Sequence, residues 1–200
     1  MAAAFIAGYL IYVIGGMPSQ PAVEETAVSL SPENSGQEKK QTDKETLLVK
    51  DGFTVILPPG WQETPNFPEV LLMAVDAGEE IVNEKAREIG FRTNFSIKGD
   101  DLKKYDKEYS IEEYASSIKT ALIQAISGIE FTYEDQGIIN NNNAFFIECQ
   151  STQEEIDFKT LLVFIEGNDD IIWALSFNAL QNSWSAYQDS FYQIAESFKN

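Results

Sequence analysis

Two runs near the end of the chain, "LLVFIE" at residues 161–166 and "IIWALSF" at residues 171–177, restrict its folding more than any other feature. Neighbouring residues in each are both apolar, so strands built from them carry hydrophobic side chains on both faces. A sheet with such strands at its centre needs cover on either side. Asn168-Asp169-Asp170 supplies a tight turn between the runs, which makes them antiparallel. The expected class is α+β, an antiparallel β-sheet flanked by helices on both faces.

The sequence supplies the covering helices. Trp184, Tyr187, Phe191, Ile194 and Phe198 fall at spacings of three and four residues and lay every large ring on one stripe. Ser110 and Glu113 form a capping box, and Ile111, Tyr114, Ile118, Leu122 and Ile126 then repeat along one helical face. Further strand-like runs lie at 53–57, 69–75, 93–98, 129–139, 143–152 and 155–167, with a second hairpin turn at Asn140 to Asn143. Residues 77–92 read equally as a short helix or a charged loop.

The folded part is placed at 47–200. Before it, residues 1–17 are apolar and uncharged, a membrane anchor or signal segment. The run from residue 2 to residue 16 reaches about 22 Å as a helix, short of the roughly 30 Å hydrocarbon core, and it lacks a basic leader. Three readings stand: a signal-anchor helix whose start precedes Met1, a cleaved signal peptide, or a buried helix of the domain. No cysteine follows the segment, which excludes a lipoprotein-type anchor. Residues 18–46 are rich in Pro, Ser, Gln, Glu and Lys and lack aromatic residues, as a disordered tether does. The order anchor, tether, domain implies a membrane-anchored protein with its domain outside the cytoplasm, or a secreted one if the segment is cleaved.

Composition narrows the chemistry. The chain has 32 acidic and 14 basic residues, a net charge of −18, which disfavours nucleic acid and anionic headgroups. It contains no histidine, which removes Ser-His-Asp, Cys-His and His-metal chemistry together. The one cysteine, Cys149, shares a strand face with Phe145 and Ile147 and reads as an inert buried thiol.

Several segments together resemble the PsbP and Mog1 superfamily: "GFTVILPPGW" at 52–61, "NFSIK" at 94–98, the capped helix "SIEEYASSIKTAL", the hairpin pair and the closing "YQDSFYQIAESFK". The likeness spans about residues 50 to 199. It implies an αβα sandwich and a role in binding or accessory assembly instead of catalysis. Known members serve unrelated partners, photosystem subunits in one case and a small GTPase in another, and no family functional residue carries over to a position here.

Each remaining candidate has a structural explanation. Pro58 and Pro59 end a strand, Gly60 permits the reversal, and Trp61 folds back over the sheet. Trp173 and Trp184 belong to the core pattern. The acidic neighbours Glu79-Glu80, Asp100-Asp101, Glu112-Glu113, Glu154-Glu155 and Asp169-Asp170 read as solvated surface, since adjacent carboxylates on a strand point apart. Asn94-Phe95-Ser96 matches a glycosylation triplet but lies within a strand run. No P-loop, dinucleotide fingerprint, nucleophile elbow or calcium loop is present. The expectation is a non-catalytic module with no catalytic, cofactor or metal residues, acting through an unknown protein partner. The alternatives are a cation-dependent module, with Asp100, Asp101, Asp169 and Asp170 as the nearest candidates, and a hydrolase that uses carboxylates only.

Overall fold

The computed structural model describes residues 44–65, 69–105 and 109–200. The segment 1–17 and the tether up to residue 43 lie outside the described residues. The described elements run β1 (Thr46–Lys50), β2 (Phe53–Leu57), β3 (Trp61–Glu63), β4 (Leu72–Asp76), α1 (Glu84–Glu88), β5 (Asn94–Asp101), α2 (Ile111–Ala125), β6 (Glu130–Ile139), β7 (Asn142–Gln153), β8 (Ile156–Glu166), β9 (Ile171–Leu180) and α3 (Trp184–Ser197).

Seven strands form one antiparallel sheet in the order β3-β4-β5-β9-β8-β7-β6. The doubly apolar runs become β8 and β9, adjacent and interior, and their alternate residues serve two separate cores. Leu161, Val163, Ile165, Trp173, Leu175 and Phe177 face α3 with Phe191, Ile194 and Phe198. Phe158, Leu162, Phe164, Ile172 and Ala174 face the opposite layer with Tyr114, Ile118 and Leu122 of α2 and Ala86 of α1. The sheet is thus covered on both faces, as its residue pattern demands.

The capping box forms: the Glu113 amide donates to Ser110 Oγ at 3.2 Å, and the Ser110 amide donates to the Glu113 carboxylate at 3.3 Å. Asn140 and Asn141, at φ 48° and 72°, make the two-residue turn between β6 and β7. Asn140 also ties the sheet to the end of α3, where its amide donates to the carbonyls of Glu196 and Phe198 at 3.0 and 2.6 Å. Such carbonyls have no partner within their own helix.

Local detail goes beyond the sequence pattern. The strand at 53–57 does not enter the main sheet; it pairs with residues 46–50 around Asp51-Gly52 and packs Phe53, Val55 and Leu57 onto the α3 layer. β1 therefore starts at Thr46, the last residue of the segment read as tether. Trp61 is the first residue of edge strand β3, opposite Asp76. Residues 77–92 contain both readings, a loop and then the five-residue helix α1 with Asn83 Oδ1 accepting from the Ala86 amide.

Candidate interaction surface

The buried ionisable groups are held by internal partners. Asp100 on β5 accepts from Tyr114 Oη at 3.0 Å and from Tyr105 Oη at 3.2 Å. Burial, and then the Asp100 charge, raise both phenols, Tyr105 to about 12. On the other face, Glu148 accepts from Gln188 at 3.0 Å and Tyr192 Oη at 3.1 Å, and pairs with Lys159 at 2.7 Å. Lys159 Nζ also lies 4.7 Å from the centroid of the Trp184 ring. Asp76 accepts from Tyr187 Oη and from the Gly78 amide, both at 2.8 Å. Glu79 accepts from the amide and hydroxyl of Thr93, and burial raises its carboxyl above the ordinary value. Asn178 completes a buried chain, accepting from Thr160 and donating to Asn94 and Ser176.

The acidic pairs do not converge. Asp101 turns away from Asp100 and accepts from the Lys103 amide at 3.0 Å, and Lys103 Nζ stands 3.8 Å from Asp170. Glu154 and Glu155 form the β7–β8 turn, and Glu155 pairs with Lys85. Glu113 serves the capping box while Glu112 lies open to water. Among the described residues no three Asp, Glu or Cys side chains gather where a cation would bind. Asn94, of the glycosylation triplet, is 2 % exposed.

Trp61 packs edge-on against Tyr187 and Phe191 and tilted against Phe95, with 7 % of its surface exposed. Trp173 fills the space between Phe53 and Phe198, where a Cβ at Gly167 would lie 2.5 Å from its Nε1. Cys149 is buried, and burial followed by the Glu148 charge pushes its thiol up to about 12.

The surface features worth functional attention lie elsewhere. β6 ends the seven-stranded sheet, and on its α2 side a cleft of about 350 Å³ opens between Ile111 and Glu112 of α2, Gln136 to Ile138 of β6, and Asn143. Ile138 is 65 % exposed at its rim, and Tyr133 is exposed further along the strand. The Glu112 carboxyl is held below its ordinary value by its own backbone N–H and then by the Ser110 hydroxyl. A second apolar patch occupies the outer face of the β1–β2 hairpin, where Leu47 and Val49 are exposed beside Ile56. Sequence reading missed both. The alternation in "TLLVKDGFTVIL", with Asp-Gly at its centre, is the signal that would have found the hairpin.

An antiparallel sheet between helical layers gives this domain a PsbP/Mog1-like α+β fold. Three of the solved structures that share the fold illustrate the likeness. The first is cyanobacterial PsbP (CyanoP) from Synechocystis sp. PCC 6803, with TM-score 0.55, 14% identity, and 78% of this chain and 91% of that one covered. LpqN, involved in cell envelope biogenesis of Mycobacterium tuberculosis, gives 0.54 at 10% identity, covering 78% and 90%. The Ran-binding protein Mog1p of Saccharomyces cerevisiae gives 0.52 at 12% identity, covering 78% and 94%. No protein-family model and no curated protein matches the sequence. At such identities the shared property is the fold.

Proposed function

We propose that this chain is a membrane-anchored accessory module that holds its PsbP/Mog1-like domain outside the cytoplasm and binds another protein without catalysing a reaction. The observation that carries this reading is the assignment of the buried charge. Asp100 and Glu148 are each matched by neutral or cationic donors of the same domain, while apolar side chains such as Ile138, Leu47 and Val49 face solvent. A carboxylate poised for acid–base work needs access to a substrate. The fold neighbours support a binding role: one is described as Ran-binding and another is a PsbP.

Anchoring and location rest on the sequence, namely the uncharged apolar run of residues 2–16 and the polar segment that separates it from the domain. Protease added to intact cells tests them. The expected result is loss of the domain with retention of a membrane-bound N-terminal stub. Domain released into the medium would replace anchoring with secretion, and a domain cleaved only after lysis would overturn the topology. Cross-linking in native membranes tests the binding role, with a stoichiometric protein partner as the expected capture.

A further inference from the structure

An edge strand leaves the N–H and C=O groups of alternate residues directed at solvent, which makes it a template for another strand. β6 has ten residues, and none of the other described strands lies on its outer side. The register slips once, between Phe131 and Tyr133, after which Tyr133 to Ile139 pairs with β7 without interruption. Seven residues at about 3.4 Å each offer a straight edge of roughly 24 Å. The cleft beside Ile138, where Ile111 and Ala144 meet the polar side chains of Glu112, Gln136 and Asn143, lies at the end of that edge, between β6 and the first turn of α2.

The charge of the edge identifies what fits it. Glu130, Glu134 and Asp135 lie on the strand and Glu112 lines the cleft, while Lys119 answers Glu134 in an ion pair. A second copy of β6 would bring the same carboxylates to within one strand spacing, about 5 Å, in a chain already at −18, and like charges placed so close repel. The residues that keep two copies apart leave the edge open to a strand of opposite charge. An added strand also projects alternate side chains toward the α2 face, where one can reach the cleft.

We infer that the free edge of β6 accepts an extended, lysine- or arginine-bearing segment of a partner protein as an eighth strand, with one apolar side chain of that segment seated in the cleft beside Ile138. This rests on the protein-binding reading above and names the partner's chemistry. Strand addition of this kind draws affinity from main-chain hydrogen bonds and specificity from alternate side chains.

The test uses the full chain in detergent micelles and a fluorescent ten-residue peptide alternating lysine with valine and threonine. The peptide should bind, slow amide hydrogen exchange within Tyr133–Ile139, and outbind its glutamate counterpart by about tenfold or more, since like charges across an interface oppose docking. Glu130→Lys with Asp135→Lys, and separately Ile138→Asp, should each weaken binding by about tenfold while leaving the melting temperature unchanged, because these side chains are exposed. Equal binding of the lysine and glutamate peptides, or protection confined to other strands, would overturn the inference. So would protection of β6 that depends on protein concentration alone, which assigns the edge to a second copy. Cross-linking separates the two levels: a stoichiometric partner touching Leu47 and Val49 instead of β6 defeats the edge proposal alone, and no stoichiometric partner defeats the protein-binding reading.

Discussion

Replacing Lys159 by methionine tests whether buried charge in this domain is structural. The side chain of Glu148 is 6% exposed and that of Lys159 18%, and they meet at 2.7 Å beneath α3. Methionine keeps much of the apolar stem but leaves the carboxylate without its cation. Removing one partner of a buried pair costs about 3–5 kcal/mol. The lower end applies, because Gln188 and Tyr192 still donate to Glu148. Loss of the cation over the Trp184 ring adds about 0.5–1 kcal/mol. The expected total is about 3–4 kcal/mol, or roughly 6–16 °C in Tm for a domain of this size. Glu148→Gln alone should cost about 1–2 kcal/mol, since Lys159, the more exposed partner, can turn to water. The double variant should then be more stable than the sum of the singles predicts, by about 2–3 kcal/mol. Guanidinium unfolding followed by tryptophan fluorescence measures all three. Additive losses, or a Lys159→Met cost below about 1 kcal/mol, would refute the reasoning.

Three further outcomes are expected. Native Cys149 should resist a disulfide reagent at pH 8 and react only when the chain is unfolded, because burial holds its thiol near 12; labelling at the rate of a free thiol would contradict this. Gly167→Ala should cost about 1–3 kcal/mol by forcing a methyl group against the Trp173 ring, and an unchanged melt would show that the ring gives way. Alkali should destabilise the domain from pH 10 upward. Tyr105, Tyr114, Tyr187 and Tyr192 all have phenols raised above their ordinary value of 10, so above that pH the unfolded chain loses protons that the folded chain keeps, and stability falls through about 12, where Tyr105 ionises. Ultraviolet titration should therefore show the phenolates of these four tyrosines appearing only as the domain unfolds; their ionisation near pH 10 in a folded domain would remove the effect and refute the prediction.

What could be read from the sequence was whatever depends on one element's own period. The stripes of α2 and α3, the capping box and the doubly apolar β8 and β9 are local patterns, and each side chain's face follows from counting. Contacts between elements were less legible. Glu148 lies within the apolar run "AFFIEC" and drew no separate reading, and its partner could be found only through the β7–β8 register, which places Gln150 opposite Lys159 and so brings Lys159 diagonally beside Glu148. That register is set by Glu154-Glu155 at φ 50° and 64°, a turn built from residues that rarely adopt positive φ. Tyr114 counted correctly as a core residue, but its hydroxyl's bond to Asp100 joins a helix to a strand and leaves no local trace. β3 was too short, at three residues, to show alternation.

The same division bears on where function can reside. In an interior where Glu148, Asp100 and the Asn178 chain are already matched, a new ligand would have to displace an existing partner and leave a donor or acceptor unsatisfied, at a cost of about 1–3 kcal/mol for each group. Binding at the β6 edge meets no such cost. The outward backbone groups of a terminal strand are solvated before a partner arrives, and an added strand replaces water with equivalent hydrogen bonds. Apolar contact at Ile138 and opposite charge along Glu130, Glu134 and Asp135 then contribute net attraction. A fold that uses its reactive-looking groups for cohesion can therefore change partners by altering a few exposed side chains on one strand while its two cores stay intact.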